Sequence, residues 1–104
     1  MPEQPEDAGA VVDAGDQAPV RIRDAGGEAI FVQADVSQAD QVAALVAKTV
    51  DTFGRLDYAC NNAGVGGNIA PTADFAEADW DQIIDVNLKG VWLCMKYEIP
   101  QMLK

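Results

Sequence analysis

Two short apolar runs, residues 29–36 and 56–60, flank a stretch whose apolar residues recur at helical spacing, and that arrangement leaves few folds open. Ala29-Ile30-Phe31-Val32-Gln33-Ala34-Asp35-Val36 is mostly apolar, of strand length, with aromatic and β-branched residues. Such a run suits a strand covered on both faces in a parallel sheet. Ser37 then opens a helix. Its hydroxyl is expected to cap the first turn while Asp40, three residues on, reciprocates. Val42, Leu45, Val46, Val50 and Phe53 follow in helical register until Gly54 stops the helix. Leu56-Asp57-Tyr58-Ala59-Cys60 reads as a second strand, so the order strand, helix, strand predicts a right-handed crossover between parallel strands. The fold class that follows is α/β.

Beyond that unit, residues 61 to about 74 form a glycine-bearing loop with Pro71. Glu77, Asp79 and Asp81 cluster where a helix dipole favours negative charge, and a long helix should follow. Trp80, Ile83, Ile84, Leu88, Val91 and Met95 share one of its faces. Gly90 should weaken its middle and Pro100 should kink or end it. At the other end, residues 1–19 are acidic and poor in apolar residues, and are expected to be a largely disordered lead. A short helix over 18–24 should be closed by Ala25-Gly26-Gly27, whose glycines accept the left-handed conformation. Residues 20–104 then make up the folded part.

Charge and residue types exclude several functions. The chain has 17 acidic and 7 basic residues, a net charge of −10, so phosphate backbones and anionic membrane surfaces would be repelled. Neither nucleic acid nor membrane is an expected partner. The start of the chain lacks the basic and apolar segments of a secretory signal, which points to the cytoplasm. There is no histidine, and Cys60 and Cys94 are far apart, so a metal site is not expected. Both cysteines read as small buried hydrophobes.

In open parallel sheets ligands bind beyond the carboxyl ends of strands, so the informative residues should follow Val36 and Cys60. There the sequence holds Ala34-Asp35-Val36, Phe53-Gly54-Arg55-Leu56-Asp57, Asn61-Asn62-Ala63-Gly64, Trp80-Asp81 and Val86-Asn87-Leu88-Lys89-Gly90. Taken together, in this order and spacing over residues 26–104, these motifs resemble the central part of a short-chain dehydrogenase/reductase of classical type. The resemblance implies a partial Rossmann-type doubly wound parallel sheet and an NAD- or NADP-dependent oxidoreductase. Such an enzyme passes a hydride between nicotinamide and an alcohol or carbonyl substrate.

The same resemblance suggests roles for individual residues. Asp35 matches the position whose carboxylate accepts a hydrogen bond from the adenine amino group, and Val36 matches one that offers backbone contact and an apolar wall. Taken alone, Asp35 is as readily a strand-end acid that helps start the next helix. Asn61, Asn62, Ala63 and Gly64 match the segment beside the cofactor's ribose, though they would also serve as a simple turn. Asn87 matches the family's catalytic asparagine, which acts as a supported helix distortion more than as a reagent; by itself it reads as a solvated helix residue or a kink.

Other family features have no counterpart among these 104 residues. Tyr58 is followed four residues on by Asn62 and Tyr97 by Gln101, so neither tyrosine has the lysine that sharpens it. Ser37 is the sole serine and lies on the adenine side. Gly9 and Gly15 do not reproduce the glycine-rich phosphate turn, although Val11-Val12-Asp13 is reminiscent of the end of a preceding strand. Two readings follow: an oxidoreductase by descent, inactive as this isolated chain, or a non-catalytic truncated product or subunit pairing with a full-length relative. The long helix near Trp80 resembles the one through which family members form homo- or hetero-oligomers. With unhidden strand edges, the monomer is expected to be partly molten or aggregating.

Overall fold

The strand read over 29–36 is realised in its first half, Glu28–Phe31 (β2), in the computed structural model of the protein, which describes residues 9–12 and 17–104. Its neighbour is Gly9–Val12 (β1), parallel and in register from Gly9 opposite Glu28 to Val12 opposite Phe31. Between them runs α1 (Gln17–Asp24), so the parallel pair is joined by a helical crossover, as parallel pairing requires. A strand therefore forms within the stretch expected to be a disordered lead. Backbone pairing with β2 satisfies polar groups that a lone apolar pair could not otherwise shelter. Residues 17–19 of that lead begin α1, and its remaining residues, 1–8 and 13–16 with Asp13 and Gly15 among them, lie outside the described residues.

Helix α1 ends as its glycines foretold. Gly26 takes φ +93°, the Gly26 amide donates to the Arg23 carbonyl at 3.0 Å, and the Gly27 amide donates to the Ile22 carbonyl at 2.9 Å. This pair of bonds is the Schellman closure. Arg23 then reaches forward, donating from Nε and Nη2 to the Ala29 carbonyl at 3.0 and 2.6 Å, and ties helix to strand.

Helix α2 (Ala39–Phe53) carries Val42 and Val46 into the core and stops at Gly54, whose φ is +84°. The expected cap at Ser37 is not made. The helix begins later, with Gln38 at the cap position and no side-chain capping bond. Ser37 turns back instead, its hydroxyl donating to Asp35 Oδ1 at 2.6 Å. A short serine next to a strand-end aspartate closes this local turn more readily than it reaches the helix.

Residues 56–60, expected as the second strand, form no ladder. The sheet among the described residues has two strands, β1 and β2, and offers Leu56–Cys60 no neighbour. Tyr58 is accordingly 89% exposed, and Cys60 is exposed where burial was expected. Cys94 is buried as expected.

The long helix is continuous but not uniform. After a 3₁₀ turn (Thr72–Asp74) come α3 (Glu77–Ile84), a π-helical segment (Asp85–Lys89) and α4 (Gly90–Met102). Pro100 lies within the last turns of α4. The apolar face read from the spacing is only partly covered, with Ile83, Ile84 and Val91 half-buried. Gly90, Leu93 and Cys94 are buried, whereas Trp80, Leu88 and Met95 are exposed. Two causes act. A π turn holds more residues than an α turn and changes which side chains share a face. In addition, Gly90 is buried because Val36 lies on it: a Cβ there would meet Val36 Cγ2 at 2.6 Å and Val36 Cβ at 3.2 Å.

The core is Val36, Val42, Leu93 and Cys94, with Ala63, Val86 and Tyr97 packed around it. Val42 is fully buried. Its truncation to alanine is expected to cost roughly 1–3 kcal/mol in urea denaturation, while Tyr58→Ser should change stability by less than about 0.5 kcal/mol.

Candidate functional site

The turn that leaves β2 sets the first wall of a cleft. Asp35 Oδ1 accepts bonds from the Ser37 amide at 2.9 Å and from its hydroxyl at 2.6 Å, and the Asp35 amide donates to Gln41 Oε1 at 2.7 Å. These bonds fix residues 34–37 at the mouth of α2. Hydrogen bonds from the Ser37 side chain and then from its amide hold the Asp35 carboxyl below its ordinary pKa. No bond engages Asp35 Oδ2 among the described residues, so an exposed acceptor stays turned outward.

The second wall is residues 62–65, and the long helix holds it in place. Asn87, in the π segment, accepts from the Val65 amide at 2.8 Å through Oδ1 and donates from Nδ2 to the Val65 carbonyl at 2.9 Å. The asparagine amide thus imitates a neighbouring strand for one residue. Gly64 passes close beneath it: a Cβ at Gly64 would lie 3.4 Å from Asn87 Oδ1.

Between the walls lies a cleft of about 480 Å³, lined by residues 34–36 and 62–65 and, from the helix, Gln82 and Val86. That volume falls among those of small-molecule pockets. Five of the seven residues singled out from the sequence meet there: Asp35, Val36, Asn62, Ala63 and Gly64. Asn61 lies off the cleft, its amide donating to Glu98 Oε1 of α4 at 2.9 Å. Asn87 stands behind the lining, committed to Val65. Ala34, Val65, Gln82 and Val86 also line the cleft and were not among the residues singled out. The last two are four residues apart, a spacing that puts them on one helix face, and this was the available signal.

Glycines 64, 66 and 67 do not sit at a helix start. The first helical turn after them is Thr72–Asp74, and α3 begins only at Glu77. A second hollow of about 430 Å³ lies nearby, bordered by Ala70, Thr72, Phe75, Glu77 and Trp80. Among the described residues no helix is long and apolar enough to cross a membrane.

With this geometry in hand, comparison with known proteins is informative. The family model for short chain dehydrogenase matches residues 9–104. The chain is 40% identical over 96 residues to a 2,5-dichloro-2,5-cyclohexadiene-1,4-diol dehydrogenase of Sphingobium indicum, covering 91% of this chain and 38% of that one. It is 47% identical over 79 residues to a 3-oxoacyl-[acyl-carrier-protein] reductase of Synechocystis, covering 76% of this chain and 32% of that one. Among solved structures, a 3-oxoacyl-[acyl-carrier protein] reductase from Brucella melitensis in complex with NAD superimposes with a TM-score of 0.82 at 28% identity. That match covers 93% of this chain and 39% of the other. The chain spans about a third of the length of the curated relatives it matches.

A carboxyl held below its ordinary pKa in the folded chain stabilises the fold above the ordinary carboxylate range, and that contribution is lost as pH falls through the lowered value. Ser37→Ala removes the larger cause and is expected to move the Asp35 pKa up toward its ordinary value, read by carboxyl ¹³C NMR titration; Ser37→Thr should keep it low.

Proposed function

The chain belongs to the short-chain dehydrogenase family, and from that premise we propose that its cleft holds the adenosine end of NAD or NADP in a hydride-transferring oxidoreductase. The observation that carries this reading is the meeting of Asp35 and Val36 with Asn62, Ala63 and Gly64 around one cleft, although some 25 residues separate the two segments. The donor set fits the group. Asp35 presents an ionised carboxylate with one oxygen uncommitted among the described residues, suited to an amino group on a purine edge. Val36 supplies an apolar wall, and the bare backbone at Gly64 allows close approach of a sugar. Several solved relatives are described as NAD- or NADP-bound, which supports the same ligand class.

When bound, a nicotinamide cofactor supplies or accepts the hydride exchanged with an alcohol or carbonyl substrate. The part of these residues is to bind and orient. Asp35 and Val36 select the purine end, the 62–65 segment supports the ribose, and Asn87 keeps that segment against the helix. None of the tyrosines here has a lysine four residues on, so proton transfer falls outside what this chain supplies by itself.

An exposed apolar stripe supports association as a companion role. Leu88, Trp92, Met95, Ile99 and Met102 recur in steps of four and three along the helix, each more than a third exposed. In this reading the stripe pairs with a second copy or with a full-length relative. Trp92→Glu is expected to lower the apparent mass of an associated form in light scattering coupled to size exclusion.

Calorimetric titration of the folded chain with NAD⁺ and NADP⁺ tests the cofactor reading. Saturable binding is expected, weakened about tenfold by Asp35→Ala, the loss of one charge-assisted hydrogen bond. A folded chain that binds neither nucleotide would sink it.

A further inference from the structure

We infer that Gly90 is a positioning residue for the cleft: by carrying no side chain it lets Val36 seat on the long helix, and so sets where the purine-side wall stands. This rests on the cofactor reading above for its ligand, but not for its geometry.

A glycine inside a helix gives up helix propensity relative to alanine, so its presence asks for a contact that a methyl group would break. Gly90 has that contact. A Cβ at residue 90 would lie 2.6 Å from Val36 Cγ2, 3.2 Å from Val36 Cβ and 3.4 Å from the Val36 carbonyl oxygen. Rotating the valine relieves only the first. Val36 Cβ moves with the backbone, so relieving its 3.2 Å contact takes a shift of a few tenths of an ångström in residues 35–37, and with them the Asp35–Ser37 turn; the carbonyl oxygen at 3.4 Å is at ordinary contact distance.

The opposite wall hangs from the same stretch of helix. Asn87, three residues before Gly90, grips both backbone groups of Val65. Residues 87 and 90 therefore fix the two sides of the cleft from one rigid element, and its width follows from the Val36–Gly90 and Val65–Asn87 contacts. Gly67 offers a contrast. A Cβ there would meet the tip of Ile83, Cδ1, at 2.6 Å, with the Phe75 ring at 3.5 Å. A side-chain tip can swing aside where a backbone cannot, and Gly67 does not line the cleft.

The test uses the full chain titrated with ADP-ribose, together with amide NMR spectra of the unliganded protein. Gly90→Ala is expected to weaken binding about tenfold and to shift the amides of residues 34–37. Gly90→Ala combined with Val36→Ala removes the 2.6 Å contact and leaves only the 3.2 Å approach to Cβ, so it should reverse most of the amide shift and bring the affinity to within about threefold of Val36→Ala alone. Gly67→Ala should leave affinity within about threefold of the parent. Unshifted 34–37 amides in Gly90→Ala, or a double variant as impaired as the single one, would overturn the inference. Should Gly90→Ala fail to fold, recovery of fold and binding in the double variant supports it and continued failure overturns it. If the parent chain itself does not bind ADP-ribose, the cofactor reading fails separately, and the amide shifts with their rescue still decide the positioning.

Discussion

Val36 rests on the long helix at Gly90, which has no side chain to hold it off, and the core and the cleft meet at that contact. Val36 belongs to the core with Val42, Leu93 and Cys94, and it also lines the cleft. One residue thus transmits packing into site geometry. The turn before α2 can be tight because Asp35 and Ser37 satisfy one another, and that turn delivers Val36 to Gly90. Close packing leaves such a contact little room: interiors tolerate little change in volume where a β-branched side chain lies against a helix backbone.

The π segment is the second constraint. Asn87 offers its whole amide to Val65, and the local widening of the helix spans this residue. Single-turn π distortions concentrate at functional sites, where they re-aim a side chain. Here the side chain so aimed is spent on holding a loop. In this family member the asparagine therefore bears on the cleft through Val65, and the site is built by positioning as much as by direct contact.

Much of this was legible in the residues themselves. Helix α2 declared itself because Val42, Leu45, Val46 and Val50 keep a 3.6-residue period and Gly54 ends it. The close of α1 was legible in Gly26 and Gly27, since few residues accept a positive φ. The strand-end rule pointed only to the stretches after Val36 and Cys60, and the resemblance to the family singled out Asp35, Val36 and residues 61–64 within them. What escaped was non-local. Apolar spacing placed Leu88 and Met95 on one face with Ile83, Ile84 and Val91, because periodicity carries no signal of a π turn. The ladder expected at 56–60 depends on a neighbouring strand, which the run's own composition cannot supply. Gly90 was read as a weakness in the helix, since its partner lies 54 positions earlier in the sequence and only the fold brings them together.

In the proposed function the adenosine end of a dinucleotide sits between residues 34–36 and 62–65. Mapping amide chemical shifts of the isotope-labelled chain during titration with AMP tests it most directly, since the probe carries the purine and ribose without the rest of the cofactor. The largest shifts are expected on Asp35, Val36 and residues 62–65, with smaller ones at Gln82 and Val86. Shifts gathered instead around Phe75 and Trp80, or none at saturating nucleotide in a folded chain, would contradict it.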